Sequence, residues 1–585
     1  MTAANPLGLS AEQLAALEPG IRLVEAGPGS GKTRTVVGRL RRHFETGRRV
    51  AMLSFTNAAV DVARLRCRDV PLLLEPPNFV GTFDSFFRRY VVTPAIMRDT
   101  GKRPSYLTSW DDLRAAMAVV RPQSGAAIRL TRFVQRDGVW VVDEAKLSRT
   151  ERSTWDKLTP WSRNNLNQIG HARISSLHRA HILDTNAARQ RALEILDSPQ
   201  SPLPELARRF SEIIIDEFQD CDELEHRIVA RLKEAGIHVV AVADPDQAIY
   251  EFRQANSALY ERYRASIAPD QRAALTTCYR STPVICSLVN DLRIVGTGEI
   301  TPDPEHFGGP DAVHVVVGSG IRAGAAGFKI LRQTGVSLSK TRVIAHRRSD
   351  ARALLRAGKE PPHGTSQIEP LLVALADLRS RLDPRGRLRA IRNVEAYLLN
   401  QFDWPDEPRS EGRAEQLDLL GITPEQLRVL ASQLLKSSQD WGDIASCKTS
   451  IRTIVEGMAR DSPIGLIPRL GSRLTVPNKV WQFWVSRTEG AFAEAPADSL
   501  RWGHVHGVKG DEFEGVIFAL PSTMAGSTHV LDDWRNGANT EQRRVLYVGV
   551  SRAMRVLVMV VPPARRSDLE YVLTTGGIRY TVTVA

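Results

Sequence analysis

IRLVEAGPGSGKT, residues 21–33, decides how this chain folds. A short apolar run, Ile21–Glu25, leads into AGPGSGKT at 26–33, and a helix-like pattern follows. Strand, glycine-rich turn and helix are the context that a phosphate-binding loop requires. Gly27, Gly29 and Gly31 let backbone N–H groups curl around phosphate oxygens with no Cβ in the way. The helix that follows turns its positive end toward the same anion. Gly27, Pro28, Gly29, Ser30, Gly31, Lys32, Thr33 and Arg34 are therefore the expected nucleotide-binding set. Lys32 neutralises the β- and γ-phosphates, and the Thr33 hydroxyl goes to Mg²⁺. Ala26 stands where the motif usually opens on glycine, but the cradle rests on the later glycines.

SEIIIDEFQD, residues 211–220, carries the second signal. An apolar strand delivers Asp216 and Glu217 to its C-terminal edge, where ligands of open α/β sheets sit. Asp216 is the expected Mg²⁺ carboxylate beside Thr33, and Glu217 is placed to deprotonate an attacking water. Further apolar runs at Val50–Phe55 and His238–Ala243, and again at Val313–Val317, Arg342–Ala345, Gly515–Ala519 and Val556–Val561, alternate with helical patterns. Such runs are the mark of parallel sheets covered by helices on both faces. Two α/β cores follow.

The 585 residues are 42% hydrophobic and 25% charged, which excludes a mainly disordered chain. The net charge of +12 favours a polyanion partner, nucleic acid first. No apolar run reaches the ~18 residues of a membrane span. The N-terminus lacks a signal-peptide pattern, so a cytoplasmic location without membrane contact is expected. Five cysteines, none in a C-x-x-C pair, read as reduced thiols rather than a disulfide or zinc framework. Two long stretches interrupt the strand groups. The first, about 98–196, reads as mostly helical and basic, with Trp140, Trp155 and Trp161 interspersed. The second, about 350–500, holds Arg379, Arg381, Arg385, Arg387, Arg389 and Arg392. Phosphate contact is the expectation for both.

In this order the motifs resemble those of superfamily 1 DNA helicases of the UvrD/Rep/PcrA type. LSAEQ (9–13) is similar to the family's adenine-reading motif, with Gln13 as the reader. LSFTNAA (53–59) and GTFDSF (81–86) resemble its DNA-contact motifs. These imply Phe55, Thr56, Asn57, Thr82 and Phe83 at single-stranded DNA. Asp84 stands where the family usually has histidine, and a carboxylate there is no DNA contact. ADPDQAIYEFR (243–253) implies Gln247 as γ-phosphate sensor and Tyr250, Phe252 and Arg253 along the strand. TCYRST (277–282) implies Tyr279 on adenine and Arg280 at the γ-phosphate. WGHVHGVKGDEFE (502–514) implies His506 at DNA and Glu512 on the ribose, with His504 in place of threonine. EQRRVLYVGVSRA (541–553) implies Arg552 as a second arginine finger.

The resemblance implies two RecA-like P-loop NTPase cores, each an α/β fold with a mostly helical inserted accessory domain. The first core would be 1–97 with 197–274, interrupted by 98–196. The second would be 275–349 with 501–585, interrupted by a diverged 350–500. Lys32, Asp216, Glu217, Gln247, Arg280 and Arg552 would be catalytic. The implied activity is ATP- and Mg²⁺-dependent 3′→5′ translocation on single-stranded DNA with unwinding of duplex or junction DNA. Two alternatives stand beside it. One is the motor or sensing subunit of a repair or anti-phage complex with a separately encoded nuclease. The other is an ATP-gated nucleic-acid-binding regulator that does not unwind. Backbone and stacking contacts leave RNA open as the track.

Overall fold

The computed structural model describes residues 8–113, 117–122, 125–136, 138–249, 257–296, 298–305, 309–355, 368–379, 384–402, 417, 420–460, 462, 464–467, 470–488, 501–524 and 528–585. The chain divides into two compact units. One comprises Met1–Pro104, Leu183–Arg356 and Leu500–Ala585, and the other Ser105–Ile182 and Ala357–Ser499.

The first unit holds two six-stranded parallel sheets. Strands β1 (Leu23–Ala26), β2 (Val50–Ser54), β3 (Phe79–Thr82), β4 (Glu212–Ile215), β5 (His238–Ala243) and β6 (Arg272–Leu275) form the first, in the order β6-β1-β5-β4-β2-β3. Each residue of β1, β2 and β4 is buried, as a parallel strand covered on both faces requires. Val36, Val37 and Leu40 of the helix Lys32–Glu45 pack with Val24, Met52, Ile214 and Val240 of the sheet. The second sheet comprises β7 (Val313–Val317), β8 (Thr341–Ala345), β9 (Arg501–His504), β10 (Phe513–Ala519), β11 (Ala553–Val561) and β12 (Tyr580–Val584). Its order is β9-β8-β10-β11-β7-β12. The fold is α/β with two parallel sheets, as the apolar runs indicate.

A buried ion pair ties the phosphate-loop helix to the sheet. Arg39 donates to both carboxylate oxygens of Glu212, at 2.8 and 2.7 Å, and His43 Nε2 lies 3.1 Å from Glu212 Oε2. Burial pushes the Glu212 carboxyl up, but the hydrogen bonds from Arg39 and His43, with the Arg39 charge, prevail and hold it at about 2.

The second unit departs from a purely helical reading. Phe133–Arg136 and Val139–Val142 form an antiparallel hairpin, and Val119–Val120 pairs antiparallel with Ile128–Arg129. The signal lay in alternating β-branched residues around Gly138, whose φ of +78° suits a tight turn. The helix Pro160–Arg179 covers the hairpin: His171 Nδ1 accepts from the Trp140 N–H and Asn167 Oδ1 from the Val142 N–H. The inserted stretch is also narrower than 98–196. The helix Thr185–Leu196 buries Ala188, Ala192 and Leu196, and it falls in the first unit.

Trp140 and Trp155 are core residues, whereas Trp161 is exposed. Of the arginine row, Arg379 is exposed, donates to the Ser438 carbonyl and lies over the Trp484 ring. Arg387 and Arg392 are exposed; Arg381 and the side chains of Arg385 and Arg389 lie outside the described residues. Helices Glu369–Arg379, Pro424–Ser437, Ile444–Ala459 and Asn478–Thr488 enclose a core that includes Leu375, Leu434, Ile451 and Trp484. Among the described residues no helix is long and apolar enough to cross a membrane.

Candidate nucleotide and nucleic-acid site

The phosphate loop leaves β1 with Gly29 at φ +73° and Gly31 at φ +83°, conformations that an L side chain resists. A Cβ on Gly31 would stand 2.5 Å from Gln13 Nε2, and one on Gly29 2.7 Å from Arg280 Cβ. The loop is thus closed in by the Gln13 helix on one side and by the Arg280 segment on the other. Gln13 is buried, donates to the Ser30 carbonyl at 3.0 Å, and completes a capping box with Ser10. The Tyr279 N–H donates to the Gly29 carbonyl at 3.0 Å. Lys32 Nζ lies 3.3 Å from the Ala26 carbonyl and 3.6 Å from Asp244 Oδ2. Pro28 and Thr33 sit in this same turn and helix start, and Arg34 donates to the Gly8 carbonyl.

Asp216 and Glu217 follow β4 directly. Glu217 has φ +56°, which turns its N–H back onto Asp216 Oδ1 at 3.0 Å. Burial and the adjoining Glu217 charge push the Asp216 carboxyl up. Burial also acts on Glu217, but Lys509 and Lys32, with a hydrogen bond from Gln219, outweigh it and hold that carboxyl below its ordinary range. Two adjoining carboxylates therefore differ in proton affinity, the arrangement that separates acid and base roles. Asp216 and Thr33 are hard oxygen donors of the kind that Mg²⁺ takes beside nucleotide phosphates. A bound cation would relieve the burial and repulsion that raise Asp216.

The segment after β5 is where the two cores meet. Asp246 accepts the N–H groups of Ile294, Val295 and Gly296, each at 2.9 Å. The Gln247 carbonyl accepts from Lys509 Nζ at 2.9 Å and the Ala248 carbonyl from Arg544 Nε at 2.8 Å. The Ile249 carbonyl lies 3.0 Å from His506 Nε2, and its side chain is buried in the second core's apolar cluster. Gln247 itself donates to Asp244 at 2.7 Å and accepts from Arg552 at 3.3 Å. Arg552 is only 2% exposed. Arg280 spends its guanidinium on Glu512, at 2.7 Å, and on the Ser551 carbonyl, at 3.0 Å. Tyr279 is half-buried, and Glu512 is half-exposed.

The residues expected at nucleic acid divide. Phe55 is partly exposed and stacks on Phe83 with ring centroids 5.3 Å apart. Phe83 is 1% exposed and also packs on Phe87, so it backs Phe55 and cannot itself face a base. Thr56 and Thr82 are helix N-caps, accepting the N–H groups of Ala59 and Ser85. Asp84 is paired with Arg189 at 2.6 Å, which explains how a carboxylate is tolerated there. The Asn57 side chain, Tyr250, Phe252 and Arg253 lie outside the described residues.

Residues 9–268 match the family model of the UvrD/REP helicase N-terminal domain. DNA helicase II of Salmonella typhimurium is 22% identical over 93% of this chain and 82% of its own length. ATP-dependent DNA helicase UvrD2 of Mycobacterium bovis is 24% identical over 94% of the chain and 78% of its length. These likenesses support a UvrD-type superfamily 1 helicase. A shorter likeness, 36% identity over 24% of the chain and 12% of the relative's length, is to an ATP-dependent helicase/nuclease subunit of Lactobacillus delbrueckii subsp. bulgaricus.

The likenesses indicate an ATP-dependent DNA helicase, and several residues of its site escaped the sequence reading. Asp244 is fully buried between Lys32, Gln247 and the Tyr547 hydroxyl. Lys509 bridges Asp220, at 2.6 Å, and Glu217, at 3.8 Å. Asp246, Arg544 and Tyr547 fasten the segment after β5. Asp244, Asp246 and Lys509 stood inside quoted motifs, so the signal at hand was a charged residue beside a motif's best-known member. Arg544 and Tyr547 stood inside the quoted 541–553 motif as well, but their partners, the Ala248 carbonyl and Asp244, lie about 300 positions away.

Proposed function

We propose that this helicase binds ATP with Mg²⁺ in the cleft between its two parallel-sheet cores and moves 3′→5′ along single-stranded DNA, unwinding duplex ahead of it. One observation carries the reading: Lys32, Asp244, Gln247 and Arg552 form an unbroken polar chain from the phosphate loop of one core to an arginine of the other. A motor needs its nucleotide and its second core joined in this way.

In this reading Lys32 and the loop N–H groups grip the phosphates, Gln13 and Tyr279 bracket the adenine, and Glu512 meets the ribose. Thr33 and Asp216 would hold Mg²⁺, which when bound offsets phosphate charge. Glu217, held ionised, takes the proton of the attacking water at its carboxylate oxygen. Arg280 and Arg552 face the charge that grows on the γ-phosphoryl oxygens, a contribution of about 10³–10⁵ in rate for an arginine finger. Arg280 reaches it by exchanging Glu512 for phosphate. Gln247 reports the γ-phosphate to the segment that continues to Tyr250, Phe252 and Arg253. Those residues, with Phe55, Thr56, Asn57, Thr82 and His506, form the proposed strand path; Phe83 supports it from behind.

The partial likeness to a helicase/nuclease component favours a second reading, in which this motor works beside a separately encoded nuclease in repair or anti-phage defence. A strand-displacement assay on 3′-tailed, 5′-tailed and blunt duplexes tests the main proposal. ATP-dependent displacement of the 3′-tailed substrate is expected. Preference for the 5′ tail would reverse the polarity. DNA-stimulated ATPase with no displacement on any substrate would leave a translocase or ATP-gated regulator.

A further inference from the structure

We propose that Arg189 is the positioning residue through which single-stranded DNA speeds ATP hydrolysis: it joins the strand-contact segment at Thr82–Asp84 to the turn that follows the Asp216–Glu217 carboxylates. The inference rests on the nucleotide and strand sites proposed above. Arg189 lies on the helix Thr185–Leu196 and is buried. Its guanidinium grips Asp84 twice, donating from Nε to Oδ1 at 2.6 Å and from Nη2 to Oδ2 at 3.1 Å. Its remaining nitrogen, Nη1, lies 2.8 Å from Glu225 Oε1 and 3.5 Å from Asp222 Oδ2. One cation thus gathers carboxylates from two other elements of the first core.

Each end of this joint adjoins a working segment. Asp84 stands in the first turn of the helix Phe83–Phe87. Thr82 caps that helix by accepting the Ser85 N–H at 3.2 Å, and Phe83 stacks beneath Phe55. A strand seated on Phe55 and Thr82 therefore bears on the backbone that carries Asp84. At the other end, Asp222 and Glu225 form the capping box of the helix Glu223–Glu234, each accepting the other's N–H, at 2.9 and 2.8 Å. That box leads back to Glu217 through the turn Phe218–Asp220. Gln219 of the turn donates to Glu217 and accepts the Asp244 N–H at 3.0 Å. Asp220 meets Lys509 of the second core at 2.6 Å. A shift of the capping box reaches the proposed base through this one turn.

Charge and geometry make the joint stiff. Burial works against the Arg189 charge, but Glu225, Asp84 and Asp222 outweigh it and keep the guanidinium ionised. A buried cation cannot leave a carboxylate without losing compensation, so the elements it holds move together. The two-pronged grip also fixes the orientation of Asp84, which the point charge of a lysine would not do. The Asp84 side chain is 27% exposed and that of Arg189 only 6%. Arg189 is thus too deep to meet DNA itself, and its influence passes through Asp84.

The full-length chain and its Asp84→Asn, Arg189→Lys and Arg189→Gln variants are assayed for ATPase with and without a saturating single-stranded oligonucleotide. Thermal melting checks that each variant is folded. Asp84→Asn leaves Arg189 its two deeper carboxylates and is expected to fold. Its ATPase without DNA should stay within about twofold of native, while its stimulation by DNA falls about tenfold, the size of a typical coupling between sites. Arg189→Lys should keep part of the stimulation and Arg189→Gln none. The double variant Asp84→Asn, Arg189→Gln should be no worse than Arg189→Gln alone, because both changes cut one path. A joint that only holds the fold would lower basal and stimulated turnover alike, and that outcome overturns the proposal. A native chain whose ATPase ignores single-stranded DNA sinks the motor reading and this coupling with it. Native stimulation that survives undiminished in folded Asp84→Asn sinks the coupling alone.

Discussion

Gln247 and Arg552 stand 305 positions apart, and the Arg552 guanidinium donates to the Gln247 side-chain carbonyl at 3.3 Å. The Gln247 amide nitrogen in turn donates to Asp244, which lies 3.6 Å from Lys32. A change at the phosphate loop therefore reaches the second core through two side chains. Gln247 cannot shift alone, because its own carbonyl is held by Lys509.

Arg552→Ala should lower kcat by about 10³–10⁵ while changing nucleotide affinity far less, since a finger acts on transition-state charge. Burial and the nearby Arg280 draw the Arg552 guanidinium down only to about 10, so it stays charged at neutral pH. The variant should also lose the effect of nucleotide on single-strand affinity. Steady-state ATPase with saturating single-stranded DNA, beside nucleotide titration and thermal melting, reads this. A folded variant with near-normal turnover sinks the two-core mechanism.

Glu217→Gln should bind ATP and hydrolyse it about 10²–10⁴ times more slowly, because the attacking water loses its base. Chelating divalent cations should stop hydrolysis in the native enzyme as well. A single-turnover measurement with a fluorescent nucleotide distinguishes binding from cleavage. Native-like turnover in Glu217→Gln would remove that carboxylate from the chemistry.

Phe55→Ala should cost about 1–3 kcal/mol of single-strand affinity, the worth of one stacked base. Phe55 is the partly exposed member of its stacked pair, so basal ATPase should change less than DNA-stimulated ATPase. Fluorescence anisotropy with a labelled oligonucleotide gives the affinity. Unchanged affinity would return Phe55 to the aromatic core behind it.

Glu212→Gln should destabilise the chain by about 3–5 kcal/mol, because Arg39 is left as a buried charge without its anion. The native carboxylate is held at about 2, below its ordinary 4.5. Its contribution is therefore complete above 4.5 and is lost as pH falls from there toward 2. The variant's stability should decline less steeply across that window. Denaturant melts of both proteins at neutral and acidic pH test it, and parallel slopes would discount the pair.

The sequence by itself determined the phosphate loop, the paired carboxylates and the two parallel sheets. Each is a local matter: glycines at left-handed positions, acids at the end of an apolar strand, continuous apolar runs that only a doubly covered sheet can bury. Tertiary structure alone decided which side chains share the cleft. Tyr547 reaches Asp244 and Arg544 holds the Ala248 carbonyl across about 300 positions, and no spacing rule spans that distance. It also decided that Phe83 is buried, since the motif fixes a residue's type while neighbours from other elements fix its exposure. The hairpin at Phe133–Val142 was legible in its alternation and its glycine, but the surrounding basic, helix-like composition masked a pattern only four residues long on each strand.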